Sequence, residues 1–461
     1  QAFGILLTEA ATGAGADTLD GTAEATGRNA AKANGIAVGI SNNTDNAGAD
    51  LRPDEGGVLA TGDGADRLTG SAGATTTTDG AAIVSDANAD SNGILVDLAS
   101  RLDLGRGADI LNGTAIATDR GTGGADAIAV TADGIEIRGA LATGRGGDTI
   151  TGTAEAASET GILLTIAGGI DNGFGSTRNA IDAEPVITTG GGNDVLTGSG
   201  DVVALGGIGL ASGIETSGTI ATGGGDDTLE GRATSTVTDG IRSVADGIEN
   251  ARLVEGGSGG LIDTGGGHDR LIAAVTATAT NADAEAIAIR NNFEEFGAVI
   301  AEGTIRLGGG DDTVRARAEA SASGGEARAI AILGGTLDAG GGNDTISASS
   351  NQLLVGADGI VLAGGRGLGG GIEITLGNGD DVLEGFGEAV ASGGGGTDTL
   401  RFAFALAEFQ AGGGEIGLGA AASRQVSFTF AGETLTTYGF ERFAFAADEA
   451  ALGYDDLVLV A

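Results

Sequence analysis

Eleven aspartates recur inside glycine-rich turns, and each is followed two residues later by an aliphatic side chain: Asp17, Asp66, Asp109, Asp148, Asp194, Asp227, Asp269, Asp312, Asp344, Asp381 and Asp398. The clearest copies run Gly190-Gly191-Gly192-Asn193-Asp194, Gly223-Gly224-Gly225-Asp226-Asp227 and Gly308-Gly309-Gly310-Asp311-Asp312. Gly265 and Gly267, Gly340 and Gly342, Gly377 and Gly379, and Gly394 and Gly396 repeat the arrangement. Glycine bares backbone carbonyls and accepts positive φ, and one carboxylate per turn adds charge. Such oxygens suit Ca2+, a hard cation that takes six to eight of them at flexible angles. One turn cannot fill that shell. Two turns stacked about 4.8 Å apart can share an ion, so the expectation is several Ca2+ ions in a row along one edge, held by these aspartates and by Gly190, Gly192, Gly223, Gly225, Gly265, Gly267, Gly308, Gly310, Gly340, Gly342, Gly377, Gly379, Gly394 and Gly396.

The elements that must hold these turns are legible around them. Successive aspartates are 32 to 49 residues apart until the last step, which is 17. A unit of roughly 40 residues is the mark of a solenoid. Aliphatic or small residues flank every turn, two after the aspartate (Leu68, Leu111, Leu196, Leu271) and seven before it (Leu59, Leu102, Ile187, Ile262). They read as inward anchors of the strands entering and leaving a corner. After Asp312, Val314, Ala316, Ala318, Ala320 and Ala322 alternate with Arg315, Arg317, Glu319 and Ser321. Period two over that length is a strand with one buried face, and its small side chains require a closely opposed partner. Gly-Ile pairs at Gly93, Gly134, Gly161, Gly213, Gly240 and Gly359 read as openings of an incoming strand, and the variable Asn/Asp/Gly-rich segments between as loops. Only Pro53 and Pro185 interrupt a chain whose coils must donate hydrogen bonds to one another.

Near residue 386 the composition changes. Most of the 13 phenylalanines, including Phe402, Phe404, Phe428, Phe430, Phe443 and Phe445, lie beyond it with Tyr438 and Tyr454. Residues 1–385 therefore read as a repetitive solenoid, and 386–461 as an aromatic C-terminal cap that protects the last edge.

Composition narrows function. The formal net charge is −41, with 64 acidic and 23 basic residues. Such a surface rejects nucleic acid and anionic membranes and attracts cations. Its self-repulsion favours a chain that stays unfolded until cations arrive, as suits export into a calcium-rich exterior. There is no Cys, so bound metal is the natural substitute for disulfides. No apolar run is long enough to span a bilayer. With no Met, and with Gln1 first, the sequence reads as a processed or partial product.

The turns resemble the RTX, or hemolysin-type calcium-binding repeat, family of secreted bacterial proteins, from Gly13 to Leu400 and at the corners only. The resemblance implies a right-handed parallel β-roll, calcium at these aspartates and glycines, and type I secretion. Two departures accompany it. The first family glycine is replaced by Thr12, Thr61, Leu104, Thr143, Thr189, Thr222, Thr264, Leu307, Ala339 and Leu376, with only Gly393 matching. Family repeats also return every nine residues, whereas here one corner per long coil matches. A larger coil with one ion row, or with corners that need no ion, both stay open. The corners with Ala16, Ala65 and Ala108 before the aspartate are the weakest candidates.

The fold expected is all-β, a right-handed parallel β-solenoid (β-roll or β-helix-like) with a C-terminal β-rich cap. Catalysis is disfavoured. His268 is the only histidine and sits at a turn position, Lys32 is the only lysine, and pairs such as Asp311/Asp312 or Glu294/Glu295 lack the cationic and aromatic company of a carbohydrate-active site. Ice binding is disfavoured too, because the Thr276/Thr278 array gives way to Glu319 and Ser321 one coil later. The function expected is an extracellular, calcium-stabilised structural protein of a bacterial surface, a filament or layer subunit. Its self-association would run end to end from the uncapped Gln1–Leu7 segment, or by exchange of a terminal strand such as Leu457–Val460. The alternative is an adhesin-type module for surface glycans or neighbouring cells.

Overall fold

The computed structural model describes residues 2–7, 9–28, 30–38, 57–77, 87–97, 100–120, 127–159, 163–173, 185–250, 259–295, 298–419, 421–446 and 451–457. Gly161-Ile162 and the segment Val458-Leu459-Val460 lie outside them. Nearly every element is a strand, and the chain is an all-β parallel solenoid.

Through most of the chain each coil has three strands. The first leaves the corner, as in Val195–Leu205, Thr228–Thr238, Arg270–Thr280 and Thr313–Ser323, and stacks on its equivalents into a 13-stranded sheet. The second returns on the opposite face, as in Ala127–Ile137, Leu164–Asn172, Ile208–Thr216 and Arg242–Asn250. The third is a three-residue strand that leads into the next corner, such as Thr219–Ala221 or Leu261–Asp263; it and the second belong to a 23-stranded sheet. Pairing is in register, so Leu196, Leu229, Leu271 and Val314 form one column. These anchors, and Ile187, Ile220, Ile262 and Ile305 on the other side of the corner, are fully buried, as their spacing demands.

The sequence reads Gly-Ile pairs as openings of an incoming strand and the segments between as loops; Gly240-Ile241 does stand directly before Arg242–Asn250, but the return path otherwise differs. It is made of strands, and Gly93, Gly134 and Gly213 lie deep inside them. The reason is a kink. In the pairing of Ala127–Ile137 with Leu164–Asn172, Asp133 meets Gly168 and Ile135 meets Ile170, leaving Gly134 outside the register. Val130 and Ala132 point inward before the kink, and Ile135 and Ile137 after it. The parity flips, so the sequence loses its period-two signature. At that kink the two sheets touch backbone to backbone. A Cβ on Gly198 would lie 2.0 Å from the carbonyl oxygen of Gly213, and one on Gly113 would lie 2.0 Å from that of Gly134. Only glycine fits such an approach.

Parallel stacking runs past residue 386: Glu433–Tyr438 pairs on Gly387–Gly395, and Arg442–Phe445 on Thr399–Phe402. Both sheets then end antiparallel, through Val426–Phe430 and Glu415–Leu418 in one and Leu452–Gly453 in the other. Phe402, Phe409, Phe428, Phe443 and Phe445 fill this end, and their cluster is continuous with the aliphatic core. Among the described residues no helix is long and apolar enough to cross a membrane.

Candidate metal centre at the glycine corners

The corner glycines adopt the backbone that their spacing implies. Gly223 and Gly225 have φ of 97° and 131°. Gly190, Gly265, Gly308, Gly340, Gly377 and Gly394 repeat the first value closely. Gly192, Gly267, Gly310, Gly342, Gly379 and Gly396 take the second, more extended one, at 140°, 145°, 136°, 137°, 149° and 137°. Space forbids a side chain as firmly as the dihedral does: a Cβ on Gly223 would lie 1.8 Å from the Gly190 carbonyl oxygen, and one on Gly267 would lie 1.9 Å from that of Gly225. The middle residues stack as a column of parallel bridges, Gly191 to Gly224 to Gly266 to Gly309 to Gly341. Gly224 N–H donates to the Gly190 carbonyl at 3.0 Å, and Gly225 N–H to that of Gly266 at 2.8 Å. The N–H groups of Gly267, Gly342 and Gly379 likewise donate to Gly309, Asn378 and Gly395, each at 2.8 Å.

All eleven aspartates line this one column, and from Asp66 to Asp398 each is at most 1% exposed. They form a ladder. Oδ1 of Asp227 accepts the backbone N–H of Asp194 at 2.8 Å, Oδ1 of Asp269 accepts that of Asp227 at 2.8 Å, and Oδ1 of Asp312 accepts that of Asp269 at 2.7 Å. The pattern starts with Asp17 N–H on Asp66 and ends with Asp398 N–H on Glu441 Oε2 at 2.8 Å. Each aspartate therefore serves the coil before it, and Glu441 of the cap serves the last.

A second ladder, which the sequence reading missed, runs outside the first and the other way. Asn193 Oδ1 accepts the N–H of Asp226, Asp226 that of His268, and His268 Nδ1 that of Asp311 at 2.8 Å. Asp311, Asn343 and Asp380 continue it to Thr397. His268 is thus a turn residue whose Nδ1 carries a lone pair, with its ring proton on Nε2. The signal was present in the sequence: an acceptor side chain stands directly before the aspartate in these coils and is missing at Ala16, Ala65 and Ala108.

The second carboxylate oxygen is the unusual group. Oδ2 of Asp66, Asp109, Asp194, Asp227, Asp269, Asp312, Asp344, Asp381 and Asp398 is buried without a hydrogen-bond partner. Thr143 supplies one for Asp148, donating to Oδ2 at 2.6 Å, as Thr12 does for Asp17. Thr222 and Thr264 hold the same position; each donates to a carbonyl of the following coil, yet lies near enough to its own aspartate to lower its pKa, so Asp227 and Asp269 are less bare than Asp66, Asp109 or Asp194. Burial pushes Asp109, Asp227, Asp344 and Asp398 up to about 6 and Asp312 to about 7, and carboxylates of adjacent coils add to the rise. A column of buried carboxylates one coil apart either takes up protons or meets cations. Orphaned carboxylate oxygens, with threonine hydroxyls at several corners, fit a hard cation. Among the described residues no three acidic, His or Cys side chains converge, so backbone carbonyls would have to complete any shell. Leu104, Leu307, Ala339, Leu376 and Gly393 bring no side-chain oxygen, which makes their corners the poorest donors.

The ladder alone yields a testable result. Asp269→Ala leaves the buried N–H of Asp227 without an acceptor and should cost about 1–3 kcal/mol. Asp269→Asn keeps the acceptor and removes the charge, so in chelator it should be as stable as the parent or more so. Urea unfolding of both variants measures the difference.

A second polar column follows the kink. Asn172 donates to Thr216 Oγ1 and the Thr219 carbonyl, and Asn250 to Asn291 Oδ1 and the Thr304 carbonyl. These residues pin the bend into the short strand, two positions after Ile170 and Ile248. On the outer side of the return strands Glu136, Asp171, Glu215, Glu249 and Arg290 are neighbours in successive coils. Arg290 binds Asp246 and Glu285 at 3.1 and 2.7 Å. Burial alone would raise Glu285, but Arg290, Arg242 and Arg328 outweigh it and bring it to about 2. Glu249 is pushed the other way, to about 8, by burial and then by Asp246. A carboxyl raised in the folded state contributes stability below its unfolded value of 4.5 and loses it as pH climbs toward 8. Each pH unit in that window costs at most about 1.4 kcal/mol. Glu249→Gln should flatten the loss, as thermal melts from pH 5 to 8 would show.

Compared with known proteins, the chain matches no family model, no curated protein and no solved structure.

Proposed function

We propose that this chain is a calcium-stabilised structural protein of an extracellular bacterial surface, related in its corners to RTX repeats and exported unfolded by type I secretion. The observation that carries the reading is the column of buried aspartates with unpartnered Oδ2 atoms, repeated in register at corner after corner. Asp66, Asp194, Asp227 and Asp269, with Thr61, Thr189, Thr222 and Thr264 beside them, are the residues that would hold the ions. A bound cation supplies the countercharge that lets these carboxylates stay ionised inside the rod. The protein's own part is to fix one oxygen of each on a backbone N–H and, at Asp66 and Asp194, to leave the other free. With 64 acidic residues against 23 basic, the chain repels itself until that charge is met.

Assembly into a filament or layer belongs to this reading. The C-terminal edge is a poor contact for it, since both sheets stop there in short antiparallel strands that blunt pairing. Electron microscopy of the mature chain in millimolar calcium tests it: regular filaments or sheets are expected, and dispersed monomers would refute assembly.

The deciding experiment is a calcium titration from chelator, followed by circular dichroism and light scattering. A cooperative gain of β signal is expected. Full β signal in chelator, unchanged by calcium, would overturn the calcium reading.

A further inference from the structure

The long sheet that leaves the corners has an outer face, and over three successive coils that face carries four arginines against two glutamates. Arg232, Ala274 and Arg317 are register neighbours in successive coils, as are Glu230, Ile272 and Arg315, and Thr228, Arg270 and Thr313. Four arginines thus share one patch in a chain of net charge −41. Arg232 pairs with Glu230 and Arg317 with Glu319 within their own strands, and both arginine side chains are more than half exposed. Arg270 and Arg315 are exposed, and no ion pair holds them among the described residues.

Ala274 separates Arg232 from Arg317 and leaves a gap. The result is a shallow slot of about 320 Å³ with Arg232 at one end, Arg317 and Glu319 at the other, Ala274 as floor and Thr234 and Thr276 as rim. The guanidinium-bearing strands are two coils apart, about 10 Å. A guanidinium fork matches a carboxylate in two hydrogen bonds. Threonine hydroxyls match sugar hydroxyls. None of the three strands carries an aromatic residue, so the slot gives nucleic-acid bases nothing to stack on. The sheet backbone is already paired on both sides, which leaves no edge for a peptide strand.

We propose that this slot binds an extended acidic polysaccharide, with its carboxylates held by Arg232 and Arg317 in the slot and by the exposed Arg270 and Arg315 beside it. At physiological salt the Debye length of about 8 Å confines the repulsion from distant acidic residues, so the local patch governs the contact.

The test is calorimetric titration of the folded protein, at fixed calcium and 0.15 M salt, with short oligogalacturonate. Saturable binding that weakens with added salt is expected. The double variants Arg232→Gln/Arg317→Gln and Arg270→Gln/Arg315→Gln should each weaken it about 10-fold or more. All four positions are exposed, and an unchanged β signal will show that the fold is intact. A neutral gluco-oligosaccharide, inorganic sulfate and duplex DNA serve as comparisons. The proposal is overturned by absence of uronate binding, by equal affinity for any of the three comparison ligands, or by variants that bind as well as the parent. The assay reads binding to folded protein, so its result is separate from whether calcium drives folding.

Discussion

Valine in place of Gly198 should destabilise the solenoid by about 3 kcal/mol or more, at the upper end of what overpacking costs. Gly198 faces inward where the two sheets meet, and the new Cβ would fall 2.0 Å from the Gly213 carbonyl oxygen and 2.9 Å from a side-chain carbon of Ile214. Neither can retreat alone. The Gly213 backbone belongs to a strand paired on both sides, with Leu164–Asn172 and Arg242–Asn250, so the strain passes into adjacent coils. Coil 270–280 shows how the fold accepts a larger group: Ala273 continues the column below Gly231, and a Cβ on the facing Gly247 would meet its methyl at 3.0 Å. On the return side Ala288 takes the place of Gly247 in that coil, so both facing positions grow there by one methyl, still far short of a valine. Thr197→Val, one residue away on the outer face, should change stability by less than about 0.5 kcal/mol. Urea unfolding of the pair, read by circular dichroism, checks both values. Equal stability of Gly198→Val and the parent would contradict the contact between sheets.

Truncating Phe428 to alanine should cost about 3–5 kcal/mol. Its ring is fully buried, with centroids of Phe402 at 4.9 Å, Phe443 at 5.7 Å and Phe445 at 6.1 Å. The coils before it bury mostly Ala, Ile and Leu, so no other described part of the chain concentrates comparable apolar volume. The loss has a second effect. Val426–Phe430 is the antiparallel neighbour of Glu433–Tyr438, which covers Gly387–Gly395. Loosening it bares the last parallel strand, an open template for another chain. The variant should therefore both melt earlier and scatter more light at temperatures where the parent stays clear.

The path of the chain was legible to different depths in different coils. The outgoing strands were plain because their alternation is unbroken, as in Val314 to Ala322. Return strands such as Ala127–Ile137 were hidden by a glycine, since Gly134 and its equivalents Gly169, Gly213 and Gly247 flip the inward face midway and make a continuous strand look like a loop. The corners were located by their glycines and aspartates, but composition could not tell which way a carboxylate turns. That depends on the N–H one coil away, and Asp194 and Asp227 are far apart in sequence. The outer ladder and the asparagine column could have been found from recurrence alone, at Asn193, Asp226 and His268 and at Asn172 and Asn250, had successive coils been compared position by position. The same comparison would have aligned Arg232, Ala274 and Arg317, each five residues after its aspartate, but not shown that their face is open to solvent.

The inner aspartates and the outer acceptors speak only to the coils next door, in opposite directions, and from Asn193 to Asp380 every corner presents an acceptor to both. Rod length is therefore a matter of counting. At about 4.8 Å per step the eleven corners mark off about 48 Å, and removing one whole coil would shorten the molecule by a single graduation while leaving the joint on either side chemically as it was. The chain is in this sense a ruler whose markings are its aspartates.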